Sequence, residues 1–162
     1  MTSVEVMGSD RRRWVLLAYR MPREPSTPRI AVWRKLRRLG VAQIVDGLVA
    51  VPHSVNNLEQ MGWVANDILD GVGEVQLWTA ELNSAKQERE LVARLNRDVA
   101  EAYRAFVAAA EAARGTDSVS PRQVSRFQRE LRDIVRRDHL GATGRDRAER
   151  AVQRLSRAAA AV

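Results

Sequence analysis

The segment "VAQIVDGLVAVP", residues 41–52, decides the fold. Two runs of apolar and β-branched residues flank Asp46 and Gly47, a dipeptide that tolerates the positive φ angles of a tight hairpin turn. The pattern predicts strands at about 41–45 and 48–51, although one continuous strand with a bulge at Gly47 fits the same residues. The segment therefore predicts paired strands in the middle of the first half of the chain.

One strand and one helix are predicted on each side of this hairpin. Upstream, the nearly continuous apolar run 14–19 is typical of a buried strand, and after a proline-rich loop Thr27 can cap a helix at about 28–39. Downstream, apolar residues at three- and four-residue spacing predict a helix that stops at Gly71. The alternating segment 74–82 then predicts a last strand. The order is β-α-β-β-α-β.

This order predicts an α+β fold of the ferredoxin-like type, an antiparallel sheet carrying two helices. We expect this domain to span residues 1–82 and a helical part to span residues 83–162. Ser84 and Gln87 form a capping box that opens the first C-terminal helix. The C-terminal helices are amphipathic, so we expect them to pack on each other, on the sheet, or in a dimer interface. The predicted inward positions of the first one are Leu91, Leu95, Val99, Ala102, Phe106 and Ala109.

The amino-acid composition favours some classes of function for this protein and excludes others. Lys and Arg number 27 against 20 Asp and Glu, a net charge of +7 that favours anionic partners. The chain has no cysteine, which excludes disulfides and thiolate metal sites formed by its own residues. With no nucleophile, metal or cofactor motif, we expect a protein that is not an enzyme and needs no cofactor. No signal peptide or membrane span is evident, so we expect no membrane partner and a cytoplasmic location.

The first helix divides its positive charge into two groups. Arg34, Lys35 and Arg38 fall on the side away from the apolar stripe and are typical of a solvated face. Arg29 falls within the core-facing stripe at the first turn, where an unpaired charge would be costly. It can pair with an acid such as Glu24 or Asp46, or stack on an indole. It can also build an oxyanion pocket with two arginines of the preceding loop and the helix N-terminus. The candidate anion-binding residues are Arg20, Arg23 and Arg29.

The tryptophans are distributed one to each main element, which is typical of core residues. Only Trp63, which follows a glycine, is expected to be exposed. The two histidines, His53 and His139, are far apart in the sequence and make weak metal ligands without a thiol. We therefore predict no metal site.

The run from Trp14 through "VWRKLRRLG" to the hairpin resembles the N-terminal domain of the ChrB chromate-resistance proteins. The segment "RFQRELRDIVRRDHLGA", residues 126–142, is similar to the closing helices of that family. Full-length members continue into a second domain beyond the matched stretch. The positions in the first segment that carry the resemblance are Pro22, Arg29, Trp33, Arg34, Leu36, Leu39, Gly40, Gly47 and Pro52.

The element order also resembles, more distantly, the middle domain of PaaX-type repressors and the nuclease fold of CRISPR adaptation. Members of the nuclease group carry an acidic metal ligand where this chain has Tyr19 and Arg20, so a metal nuclease is not expected. The ChrB resemblance implies a non-enzymatic chromate (oxyanion) sensing or transcription-regulatory protein that binds chromate or sulfate. We expect a homodimer because the long amphipathic helices and the open edges of a small sheet offer self-complementary surface. The alternative is a nucleic-acid-binding module that contacts DNA through its basic surface.

The anion site also has secondary candidates beside Arg20, Arg23 and Arg29. They are Arg34, Arg137, Asp138 and His139.

Overall fold

The computed structural model describes residues 11–115 and 118–161. The sequence also predicts a polar leader before the first strand and a loop at residues 115–118; residues 1–10 of the leader and residues 116 and 117 of the loop lie outside the described residues. Four strands and five helices are formed in the described part of the chain. In chain order they are β1 (Arg13–Arg20), α1 (Ser26–Leu39), β2 (Ala42–Val45), β3 (Leu48–Pro52), α2 (Val55–Asp70), β4 (Glu74–Glu81), α3 (Ala85–Arg114), α4 (Pro121–Arg137) and α5 (Arg145–Ala160).

The four strands form one antiparallel sheet in the order β2-β3-β1-β4. β3 lies between β2 and β1, and β1 lies between β3 and β4, which is the split β-α-β arrangement. The α+β, ferredoxin-like prediction is therefore confirmed, together with the C-terminal helical part. The hairpin forms at Asp46-Gly47, where Gly47 has φ +76° and a Cβ would meet the carbonyl oxygen of Tyr19. Only glycine fits that turn.

Both central strands are buried. Val15 and Leu17 of β1 are opposite Val51 and Val49 of β3, and all four side chains have less than 2% exposure. Because directly opposite residues point to the same side of a sheet, these four make one apolar face. α2 packs on β1 and β4 and buries Met61, Val64 and Ile68.

The apolar spacing of the sequence predicts Leu58 as an inward residue at the start of α2, but α2 buries the polar side chain of Asn57 there. The Asn57 Nδ2 donates a hydrogen bond to the carbonyl oxygen of Pro52 at 2.8 Å, which ties the start of α2 to the end of β3. Leu58 and Leu69 are exposed instead. An apolar period alone misses a buried amide whose partner is a backbone carbonyl.

The described residues group into two compact units. The first contains residues 11–33 and 42–91, and therefore the whole sheet with α2. The second contains residues 34–41 and 92–161, without 116 and 117. Its core is built from α3, α4 and α5, with Tyr103, Phe106, Phe127 and Leu155 among the most buried side chains.

Several local predictions need correction. α1 begins at Ser26, so Thr27 lies inside the helix rather than capping it. On α3 the buried residues after Val99 are Tyr103, Phe106 and Ala110, whereas Ala109 is exposed. Tyr103 was missed because a hydroxyl-bearing ring interrupts a purely apolar pattern. On α5 the three- and four-residue spacing of the sequence predicts an inward stripe that is confirmed, because all four of its residues are buried: Ala148, Ala151, Val152 and Leu155.

The tryptophans do not all fill the core. Trp14 is buried, and its indole N–H lies 3.4 Å from Glu88 Oε1. Trp33 is half-buried. Trp63 is exposed, as predicted, but Trp78 is 53% exposed, which contradicts the expectation that it packs inside. Trp78 lies on β4, an edge strand. A side chain on an edge strand can remain exposed even where the alternating pattern of the strand places it on an apolar face.

Candidate functional site

The first candidate region is the loop after β1 and the start of α1. Arg29 is exposed, so its predicted place in the core-facing stripe is wrong. The helical period placed it correctly around the helix axis, but the first turn is exposed as a whole. From Ser26 to Ala31 only Pro28 is half-buried, and burial of α1 begins at Val32. A helical wheel cannot show how far along its axis a helix is covered.

Arg20 lies at the end of β1, directly opposite Glu74 of β4 in the sheet register. Its Nη2 lies 2.6 Å from Glu74 Oε2, and both side chains are largely exposed. This pair neutralises much of the charge of Arg20, and it is screened by solvent. Arg20 therefore already has an anionic partner within the chain.

Arg23 and Arg29 are both exposed and lie on either side of the α1 N-terminus. Among residues 11–115 and 118–161 neither arginine forms an ion pair. The first turn of α1 contains no acidic residue. Its unbonded N–H groups and the two guanidinium groups therefore present positive charge that no neighbouring carboxylate of the turn offsets.

The remaining basic residues of α1 match the predicted solvated face. Arg34, Lys35, Arg37 and Arg38 are all exposed, and Lys35 has a partner of its own. The helix as a whole contains no Asp or Glu. Arg34 thus extends the positive surface of α1 beyond Arg29.

The second candidate region is the junction between the end of α1 and the end of α4. Gly40 has φ +72°, and a Cβ there would lie 2.9 Å from both the Cβ and the carbonyl oxygen of Arg137. The His139 Nε2 lies 2.6 Å from the carbonyl oxygen of Leu39. The Leu-Gly pair that carries the ChrB resemblance in the first half therefore contacts the Arg-Asp-His segment that carries it in the second half.

Asp138 is the C-cap of α4 and joins three segments of the second unit. Its Oδ2 accepts a hydrogen bond from the Tyr103 hydroxyl at 3.0 Å, and its Oδ1 accepts one from the backbone N–H of Ala142 at 2.7 Å. Burial, followed by the hydrogen bond and charge of Asp138, raises the pKa of Tyr103 well above its ordinary value. The carboxylate is thus occupied by internal donors.

The three secondary candidates at this junction therefore have structural roles. The backbone of Arg137 packs on Gly40, Asp138 fixes the loop between α4 and α5, and His139 contacts α1. The sequence motif indicated these three residues but did not indicate Tyr103, because its partner Asp138 lies 35 residues away in the chain. A single tyrosine in an otherwise alanine-rich helical segment is the sequence signal that could have indicated Tyr103.

A further basic surface lies on α4, which sequence reasoning did not select. Val124, Phe127 and Ile134 are buried on one side of the helix. The exposed part of the helix carries two acids, Glu130 and Asp133, and Asp133 pairs with Arg136. The guanidinium group of Arg126 lies 5.1 Å from the centre of the Phe127 ring. The exposed arginines of this side are Arg122, Arg126, Arg129, Arg132 and Arg136.

A protein-family model matches this chain. The model described as "Protein ChrB, N-terminal" matches residues 29–114, more than half of the chain. The chain belongs to the ChrB family. The matched range begins at Arg29 and contains Trp33, Arg34 and Gly40, so the predicted family is confirmed. β1, α4 and α5 lie outside the match.

Membership of the ChrB family associates this protein with chromate resistance and suggests a regulatory role there. No curated protein and no solved structure matches the chain. Within the described ranges no three His, Asp or Glu side chains form a group that could hold a metal ion. None of the helices described is long and apolar enough to cross a membrane.

Proposed function

We propose that this ChrB-family protein is a cytoplasmic, non-enzymatic regulator of chromate resistance that binds a tetrahedral oxyanion, chromate or sulfate, at the start of α1. The observation that carries the proposal is that Arg23 and Arg29 are exposed before and within the first turn of α1, which contains no acidic residue; Glu24 lies upstream of that turn. Guanidinium groups and free N–H groups are the donors that suit a dianion. Arg34 extends the same positive field along α1.

Arg20 has a different part in this proposal. Its partner Glu74 holds it while the site is empty, and an arriving dianion competes with that carboxylate for the guanidinium group. An exposed ion pair contributes little free energy, so a dianion can displace it at small cost. We therefore expect Glu74→Gln to tighten oxyanion binding several-fold.

Isothermal titration with chromate and with sulfate tests the proposal. Charge-assisted hydrogen bonds contribute about 1.5 to 3 kcal/mol, so Arg29→Ala is expected to weaken binding by about 10- to 100-fold. Arg38→Ala is the matched control, because it removes an exposed arginine from the other side of the same helix and should leave the affinity unchanged. Absence of heat with both anions, or equal losses in the two variants, rules the site out.

The protein is further proposed to act as a two-fold homodimer, the commonest closed assembly among soluble oligomers. Its partners are then a second copy of the chain and the oxyanion. Sedimentation equilibrium with and without chromate measures both the association constant and its coupling to the anion.

A second candidate function is binding of DNA through charge, and the basic side of α4 favours it. Five exposed arginines outnumber the two exposed acids of this helix, Glu130 and Asp133, and form a row that suits phosphate groups. The measurement is the slope of log K against log salt for a DNA duplex. Replacing Arg122, Arg129 and Arg132 by Gln removes up to three contacts, which should reduce the slope by about 0.9 for each phosphate lost.

The control for that measurement is replacement of Arg147, Arg150 and Arg157 on α5 by Gln. These three arginines are also exposed, and the change removes the same net charge. If both triple variants lose affinity equally, binding follows net charge and α4 has no particular role. If the wild-type protein does not retard DNA even at low salt, the second candidate is excluded.

A further inference from the structure

β4 is an edge strand without the features that usually prevent edge pairing. In the described residues it pairs with β1 on one side and with no strand on the other. Its register with β1 is continuous over eight residues, from Glu74 to Glu81, without a bulge. Alternate residues of an antiparallel strand direct their N–H and C=O groups to opposite sides. Four residues of β4 therefore present unpaired backbone groups outward.

The other edge of the sheet differs in each of these respects. β2 has only four residues, and its register with β3 shifts between Gln43 and Val45. Short strands and irregular registers are the usual protections against edge-to-edge association, as are charges and prolines. The interior of β4, Val75 to Ala80, contains no charge, no proline and no glycine. Of the two edges of the sheet formed by the described residues, the β4 edge is the one suited to accept another strand.

The side chains of β4 add apolar surface to both faces beside this edge. Leu77 is 38% exposed on one face and Trp78 is 53% exposed on the other. A large aromatic ring left half in water on an edge strand is covered when a further strand joins the sheet. Both faces would gain burial from the same pairing.

We propose that β4 pairs antiparallel with β4 of a second copy of this chain, so that the two sheets become one continuous eight-stranded sheet in the homodimer. This inference rests on the homodimer of the proposed function and names its surface. The sequence of β4 is self-complementary for this arrangement. A two-fold axis at Leu77 places Leu77 opposite Leu77 of the partner copy and Val75 opposite Thr79, which are favourable cross-strand pairs.

Side-chain size, not charge, distinguishes this register from its neighbour. With the axis at Leu77, Glu74 is opposite the small Ala80 of the other copy, and with the axis at Trp78, Glu81 would be opposite the larger, β-branched Val75. Neither register brings two carboxylates together, and the first keeps the β-branched Val75 and Thr79 opposite each other. A two-fold axis perpendicular to the sheet needs residues of the same face to be opposite, so Glu74 never faces Glu81.

Two measurements on the full chain test the surface. In sedimentation equilibrium the wild type should have about twice the 18.2 kDa mass of one chain. Leu77→Lys should raise the dimer dissociation constant at least 100-fold, because a charge on an edge strand opposes pairing. Leu69→Lys is the matched control, since Leu69 lies in the last turn of α2 and is 56% exposed. It should remain dimeric.

The absence of cysteine in the chain allows the register to be mapped. In the proposed register the two Leu77 Cβ atoms are about 4.5 to 5.5 Å apart, slightly more than the roughly 3.5 to 4.5 Å of a disulfide, so a small backbone movement at the strand edge lets Leu77→Cys form an interchain disulfide on mild oxidation. Leu69→Cys should not. Because Leu77→Cys is a milder substitution than Leu77→Lys, the cross-linking result tests the β4 surface even if the lysine variant does not fold.

The outcomes separate the surface from the wider proposal. A dimeric wild type whose Leu77→Cys variant fails to cross-link overturns the β4 surface and leaves the homodimer standing. A monomeric wild type at micromolar concentration overturns both. Oxyanion titration of Leu77→Lys reports on the start of α1 by itself, and binding retained in the monomeric variant shows that the oxyanion site does not depend on this interface.

Discussion

The Tyr103 hydroxyl donates a hydrogen bond to Asp138 Oδ2 at 3.0 Å, which joins the middle of α3 to the end of α4. Tyr103→Phe keeps the ring in the core and removes only this bond. Hydrogen bonds to charged groups contribute about 1.5 to 3 kcal/mol, and Asp138 retains the Ala142 N–H. We expect the free energy of unfolding to fall by about 1 to 2 kcal/mol in urea titration. An unchanged midpoint would show that water replaces the hydroxyl without loss.

The same pair predicts a loss of stability at high pH. The pKa of Tyr103 is raised in the folded protein by burial and by Asp138, and the pKa of Tyr19 is raised by burial and by Asp46. Above about pH 10 the unfolded chain releases tyrosine protons that the folded chain retains, so stability falls as pH rises. Urea titrations across this range should show a shallower decline for Tyr103→Phe than for the wild type. Equal declines would assign the effect to Tyr19 or to other groups.

Alanine substitutions at Gly40 and Gly141 distinguish the cost of backbone strain from the cost of a steric clash. Both have φ near +70°, but a Cβ at Gly40 would contact Arg137, whereas a Cβ at Gly141 would have nothing within 4 Å. Gly141→Ala should cost about 1 to 2 kcal/mol, the usual penalty of a left-handed residue. Gly40→Ala should cost at least about 1 kcal/mol more, since Arg137 must also move. Thermal or urea unfolding of both variants measures the difference, and equal costs would mean that Arg137 does not pack on Gly40.

The buried side chain of Asn57 should contribute more to the free energy of unfolding than the exposed side chain of Asn56. Asn57→Leu removes the donor to the Pro52 carbonyl and leaves that buried acceptor unpaired, at a cost of about 1 to 3 kcal/mol. Asn56→Leu changes an exposed side chain of the same type on the same helix and should alter stability by less than about 0.5 kcal/mol. Urea unfolding of the two variants makes the comparison. Similar losses would indicate that the helix start, rather than the buried bond, is sensitive to leucine.

Much of the fold could be predicted because its signals are local. The Asp46-Gly47 turn, the apolar run of β1 and the three- and four-residue periods of the helices each depend on neighbours along the chain. The candidate site was less predictable. Arg29 has the angular position of a core residue, yet no element covers the first turn of α1. The basic side of α4 was passed over because arginines alternating with apolar residues are ordinary on an amphipathic helix.

The sequence by itself determined the family, the order of the elements, the positive net charge and the glycine positions of the turns. These depend on composition and on short-range backbone preferences. Only the tertiary structure decided that Gly40 contacts Arg137, that Asp138 accepts from Tyr103, and that Trp78 is exposed on an edge strand. Such contacts join residues far apart in the chain or depend on which strand lies outermost in the sheet, and local propensity carries no information on either.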